Sequence, residues 1–283
     1  MARTVRDAAL LLGVLAGEDA ADPATAGAVR AGTQDYAAQL DGGALKGARI
    51  GVPRRKYFGY SPEADRLVEA SIATMKAQGA TIVDPTDIPT AGTFEECELD
   101  ILLYEFKDGL NAYLAALGPE ARVRTLEALI AFNEREKDRE MPFFGQDLFI
   151  RAEAKGPLSS PAYAKARQIC RTRAGAEGID AVMQAHQLDA LVAPTGSPAW
   201  PTDPVNGDHF TGASSSPAAV AGYPNVTVPA GFVHGLPVGI SFFGRAWSER
   251  TLLRLAYAYE QATRHRRPPR YLPTLELAPK LAQ

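Results

Sequence analysis

The chain of 283 residues carries 30 basic and 33 acidic side chains, a net charge of −3, with 46% hydrophobic and 22% charged residues. That near balance excludes a polybasic reader of nucleic acid or of a membrane surface, and a chain this size can bury a core without staples. Its two cysteines, Cys97 and Cys170, exclude a disulfide framework and a zinc finger, so plain thiols and a reducing, cytoplasmic setting are expected.

The first residues, MARTVRDAALLLGVLAG, pair two arginines with an apolar run and so imitate a secretory signal. The helical reading is the stronger one. Thr4 is placed to cap, Asp7 follows three residues later, and Val5, Ala8, Leu12 and Leu15 recur at helical spacing before Gly17. No apolar run approaches the ~20 residues of a membrane span. A helical patch is predicted over 24–40. A strand is predicted over 49–53 (RIGVP). Ser61, Pro62 and Glu63 then start a helix whose inner face is Leu67, Val68, Ile72 and Met75 and which Gly79 ends. A second strand, ATIV over 80–83, completes a βαβ crossover with adjacent parallel strands.

From 94 to about 173 the composition turns to Leu, Ala, Glu, Lys and Arg. This predicts a helical annex of three or four helices, broken at Gly118-Pro119, Met141-Pro142, Gly156-Pro157 and 159–161. Its last helix is predicted over 160–185, with Gly175 and Gly178 as candidate breaks costing about 1 kcal/mol each. Phe143, Phe144 and Phe149 are expected in the annex core, and the run 133–140 (NEREKDRE) on an exposed helix face. Glu95, Glu96, Glu98 and Asp100 suit a solvated helix start. The sheet resumes with ALVA over 190–193. A loop over 195–215 leads to a short helix over 216–222, to strands over 225–228 and 238–243, and to a final helix that Ser248 is placed to cap.

The run GYPNVTVPAGFVHGLPVGISFFGRAWSERTLLRLAYAYEQAT over 222–263 resembles the carboxyl end of the amidase-signature hydrolases. The pieces LDALVAPT, NGDHF and SSSPAAVAGYP look closest to the peptide-amidase branch. The resemblance implies an α/β fold: a mixed β-sheet flanked by helices, a partial amidase-signature fold, with 1–283 as one domain and its annex at about 94–175. The family works with a lysine, a serine in a cis peptide and a nucleophilic serine, the serines lying in a Gly-Gly-Ser-Ser-Gly-type run. No such run occurs in these 283 residues, so the resemblance reaches only the family's carboxyl-terminal half or somewhat more. A truncated hydrolase is expected. If active, it hydrolyses activated esters, amides or phosphoesters from a surviving half-pocket; the alternative is an inactive remnant or one half of a split amidase, acting as a binding module. A second copy is expected to cover the exposed sheet or the first helix, making a homo-oligomer.

The chemically richest stretch is 203–216, DPVNGDHFTGASSS, after a buried strand and before a helix, where open α/β sheets place ligands. Asp208 and His209 are the candidate acid and base, and Ser214 and Ser215 the candidate hydroxyls. Asp203, Phe210 and Ser216 are candidate substrate contacts. Turn formation and helix capping are the structural alternatives for the same residues. The expected ligand is a small molecule, with no cofactor. The histidines show no metal-binding spacing, which leaves only Asp203, Asp208 and His209 as a set able to acquire a hard cation.

Overall fold

The computed structural model describes residues 1–31 and 35–271, with side chains at 28–31 left aside. The chain divides into two compact units. The first comprises 1–91, 174–202 and 208 onward; the second comprises 92–173 with the short turn 203–207.

The first unit is built on helix α1 (Val5–Leu15), strand β1 (Arg49–Gly51), helix α2 (Pro62–Ala77), strand β2 (Thr81–Val83), helix α8 (Asp180–His186), strand β3 (Ala190–Pro194), helix α9 (Ser216–Ala221), strands β4 (Asn225–Val233) and β5 (Leu236–Phe243), and helix α10 (Glu249–Thr263). The sheet order is β2-β1-β3-β5-β4. β1 is parallel to β2 and β3, with Ile50 opposite Ile82 and Ala190. β5 runs antiparallel to β3 and β4, so Phe242 lies between Val192 and Val226. The α/β reading therefore holds as a mixed sheet flanked by helices, and the βαβ crossover lies where its alternation placed it.

Strand alternation sends Ile50, Val192, Ile240, Phe242 and Val228 to one face, where Val68, Ile72 and Met75 of α2 meet Leu252, Leu255, Ala256 and Tyr259 of α10. Leu191, Ala193 and Phe243 point the other way, against Val182 and Met183 of α8 and Ala218 of α9. Ser61 caps α2 by accepting from the Ala64 N–H, and Gly79 ends it at φ 92°. β4 and β5 join through His234 and Gly235, both at positive φ, as a two-residue hairpin requires. Ser248 sits at the start of α10, but its hydroxyl donates to the Arg245 carbonyl instead of capping the helix.

Helix α1 corrects the sequence reading of its inner face. Thr4 caps it as expected, accepting from the Asp7 N–H at 3.0 Å. The buried side chains, however, are Val5 and Ala9, with Leu12 and Ala16 packed against the same core, and Leu15 points outward. Spaced at i, i+4 and i, i+3, these four form one face of α1, and Val5 N–H donates to Glu260 Oε1 of α10 at 2.9 Å. Of the patch predicted over 24–40, a 3₁₀ segment covers Pro23–Ala31; residues 32–34 lie outside the described residues.

The second unit holds α3 (Glu95–Ala116), α4 (Leu126–Arg135), α5 (Lys137–Glu140), α6 (Asp147–Glu153) and α7 (Pro161–Arg171). Five helices replace the three or four expected, because the acidic and basic run at 133–140 divides between α4 and the single turn α5. A small core of Leu103, Leu126 and Ala152 gathers Leu99, Leu110, Ile130 and Phe149. The chain does not break at its two late glycines: 172–179 continues as a π-helical segment into α8. Gly175 sits where a Cβ would lie 3.0 Å from the Tyr223 hydroxyl.

Two expectations for this unit fail. Phe143 and Phe144 are 70% and 78% exposed, because they lie in the connection before α6, beyond reach of its few core side chains; only Phe149 joins the core, stacked on Phe106. Cys97 and Cys170 are a disulfide, not thiols. Two cysteines 73 residues apart give no spacing signal, but the first turn of α3 and the last turn of α7 bring their Cα atoms to 5.9 Å. Such a bond persists where cellular thiols do not reduce it, which pulls against the reducing setting expected from composition. Among the described residues no helix is long and apolar enough to cross a membrane.

Candidate functional site

The site begins where β3 ends. Ala190, Leu191, Val192 and Ala193 are fully buried, and the strand emerges at Pro194 and Thr195. The chain leaves through the loop and returns at Gly212 to Ser214, where a bridge pairs Gly196 with Ala213. Two hydroxyls clamp this closure. Ser214 Oγ donates to the Pro194 carbonyl at 2.7 Å and Tyr60 Oη donates to the same oxygen at 3.0 Å. Burial pushes the Tyr60 phenol well above its ordinary range, which keeps it a donor. Gly212 is required here, because a Cβ would stand 2.5 Å from the Tyr60 ring.

Beside the clamp, three hydroxyls from three strands form a row. Thr195 Oγ1 lies 2.7 Å from Thr227 Oγ1 of β4 and 3.0 Å from Ser241 Oγ of β5. Ser241 is buried, Thr195 half-buried and Thr227 exposed, so the row leads from the sheet interior to solvent. Gly239 makes room for it: a Cβ there would stand 2.6 Å from Thr227 Oγ1 and 2.7 Å from Thr195 Oγ1. Gly239→Ala is expected to lower stability by about 1–3 kcal/mol by overpacking. Thermal unfolding checks this, and an unchanged midpoint would mean that β4 and β5 shift to admit the methyl.

The sequence candidates fall into three groups. Asp208 and Phe210 share one arrangement in the exposed part of the loop, where Trp200 Nε1 donates to Asp208 Oδ1 at 3.0 Å and the Phe210 ring meets Trp200 edge-on at 6.1 Å. His209 is exposed between them and hydrogen-bonds to none of the described residues. Ser214 is fully buried and committed to Pro194, so any nucleophilic role would require it to exchange that bond. Ser215 is exposed at the start of α9 and makes no side-chain cap, while Ser216 is half-buried in the first turn. Asp203 is in the second unit. It accepts from the Val205 and Asn206 N–H groups at 2.9 and 3.0 Å and from Asn206 Nδ2 at 2.8 Å, and the Asn206 N–H above all holds its carboxyl below the usual carboxylate range.

Among the described residues, no histidine, lysine or carboxylate hydrogen-bonds to Ser214, Ser215, Thr195, Thr227 or Ser241. The arrangement offers hydroxyl donors and acceptors, an exposed imidazole and an indole-bound carboxylate, and none of these five hydroxyls is already joined to a base. The metal set considered from the sequence is not assembled, since no three His, Cys, Asp or Glu side chains of the described residues come close enough to hold an ion. Thr195, Thr227, Ser241 and Tyr60 were missed from the sequence. The period-two pattern carries a partial signal, because Thr227 and Ser241 interrupt otherwise apolar strands on the same face.

A family model described as Amidase matches residues 1–253. The chain is 34% identical over 280 residues to a probable amidase of Arabidopsis thaliana, covering 95% of this chain and 49% of that protein. It is 33% identical over 279 residues to a glutamyl-tRNA(Gln) amidotransferase subunit of Roseiflexus sp., covering 93% and 53%. Among solved structures, the native peptide amidase from Stenotrophomonas maltophilia superposes with a TM-score of 0.87 at 48% identity over 95% of this chain and 54% of that one. A peptide amidase in complex with the competitive inhibitor chymostatin does so with a TM-score of 0.90 at 48% identity, covering 96% and 55%. The chain thus spans about half the length of the relatives it matches.

Proposed function

The chain belongs to the amidase family, and from that membership we propose that it is a hydrolase chain supplying the substrate-facing wall of an acyl-transfer site at the carboxyl end of β3. The hydroxyl row of Thr195, Thr227 and Ser241 binds the polar backbone of a small acyl substrate, and Trp200 with Phe210 receives its apolar part. The observation that carries this reading is the 48% identity with a peptide amidase over 96% of these residues. Without the family's lysine and paired serines, turnover by this chain alone is restricted to activated esters, amides or phosphoesters. Such leaving groups need little acid help, so positioning and one base suffice. His209 is the base of this proposal, with Asp208 beside it and Ser215 as the accessible hydroxyl; Ser214 and Ser216 hold the wall, and Asp203 shapes the turn. No cofactor takes part.

The pure chain is expected to hydrolyse p-nitrophenyl esters, anilides or phosphoesters slowly, and His209→Ala to lower that rate about 100-fold or more. Full activity in the His209→Ala protein would remove His209 from this role, and no turnover above buffer would end the catalytic reading. A second reading, a binding module or one half of a split amidase, is favoured by the absence, among the described residues, of a base hydrogen-bonded to Ser214, Ser215, Thr195, Thr227 or Ser241. Calorimetric binding of chymostatin without turnover is the outcome that distinguishes it.

A further inference from the structure

Trp200, Phe210 and Asp208 together hold more than an apolar contact needs. The two rings meet at 71° with centroids 6.1 Å apart, an edge-to-face pair, and so make a corner of two differently directed ring planes. Pro198 and Pro201 bracket Trp200 and stiffen the backbone that carries the indole. Trp200 is half-buried and Phe210 63% exposed, so the corner has one anchored wall and one open to solvent. An aliphatic or aromatic acyl group asks for no more than these rings.

The third member is a charge. The Trp200 Nε1–H donates to Asp208 Oδ1 at 3.0 Å, which fixes the carboxylate at the edge of the indole. Asp208 Oδ2 accepts from none of the described residues, and no lysine, arginine or histidine among them pairs with Asp208. Two ring faces beside a carboxylate with a free oxygen are the parts that recognise an organic cation. The ring quadrupoles attract positive charge, and the carboxylate adds ionic attraction and accepts any N–H the cation carries. His209, next in sequence, adds no opposing charge in the neutral form that a base requires. A neutral group meets the rings alone, and an anionic group is repelled by Asp208, so the three members sort ligands by the sign of their charge.

We propose that Trp200, Phe210 and Asp208 form a subsite for an organic cation, an alkylammonium or guanidinium carried on the apolar part of the substrate. This rests on the reading of the loop as a substrate-facing wall, and it names what that wall selects: cationic acyl compounds over neutral or acidic ones. Because the subsite is open to water, the preference is modest, about fivefold, and it weakens in salt.

Heteronuclear NMR of the full chain tests this. The two tryptophans give two indole N–H signals, and Trp247→Phe tells them apart. Titration with phenethylammonium, and in parallel with neutral phenethyl alcohol, is expected to shift the Trp200 signal saturably, the ammonium binding about fivefold more tightly. The difference is expected to fall below about twofold in Asp208→Asn, whose amide oxygen still accepts from the indole while the charge is gone, and likewise in about 0.5 M salt. Equal affinity for the two probes overturns the proposal, as does a preference that survives Asp208→Asn, or no saturable shift with either probe. Turnover separates this proposal from the hydrolase reading. The p-nitrophenyl ester of γ-trimethylammoniobutyrate is compared with its isostere carrying a tert-butyl group, each measured against its rate in buffer. Hydrolysis of both with equal enhancement keeps the hydrolase reading and removes the cation subsite. Preferential binding of the ammonium without turnover of either ester keeps the subsite and ends the catalytic reading.

Discussion

Phe242→Ala is expected to destabilise the first unit by about 3–5 kcal/mol, a large part of what a domain possesses. Phe242 is fully buried on β5, with paired strands on both sides. Its ring lies 5.8 Å from that of Tyr259, tilted by 52°, in the core that joins the sheet to α2 and α10. Alanine removes the ring and leaves a cavity whose walls are strand backbone and helices held by other contacts, so little collapse can compensate. Both tryptophans, Trp200 and Trp247, belong to this unit, so the fluorescence midpoint in a urea titration reads the effect directly. Phe242→Leu keeps much of the volume and is expected to recover more than half of the loss. An Ala variant within about 1 kcal/mol of the parent would show that β5 repacks.

Replacing Cys97 and Cys170 together with serine is expected to cost about 4 kcal/mol in the second unit, the loop-closure entropy of a crosslink between residues 73 apart. The unit depends on it because its core is small: Leu103, Leu126 and Ala152 with a few partly buried neighbours, and a handful of further buried side chains such as Phe94 and Tyr163. The disulfide ties the first turn of α3 to the last turn of α7, the two ends of the unit's main segment, so its loss enlarges the unfolded ensemble more than any single contact there could. Hydrogen exchange across α3 to α7, before and after reduction of the unsubstituted protein, measures it. Protection that survives reduction unchanged would mean that helix packing alone holds the unit.

Much of the architecture was legible because local chemistry and burial agree. Ser61, Pro62 and Gly79 mark the ends of α2, the apolar run ALVA and the largely apolar run GISFF mark buried strands, and the annex announces itself by composition. The same run of residues also carried the family resemblance, and the amidase match over 1–253 bears that out. The candidate loop was legible as a place, since Asp208, Phe210 and the serines lie after β3. Its chemistry was not: the sequence shows that hydroxyls are present, but hydrogen-bond commitments such as Ser214 to Pro194 arise only when the loop closes.

By itself, then, the sequence determined the caps at Thr4 and Ser61, the buried strands, the crossover and the family, all set by neighbours within a few turns or by long runs of residue type. Tertiary structure alone decided which face of α1 is buried, that Cys97 reaches Cys170, that Phe143 and Phe144 stay in solvent, and that Thr195, Thr227 and Ser241 meet. Each depends on side chains from distant segments arriving within a few ångströms of one another, and one-dimensional spacing holds no record of that distance.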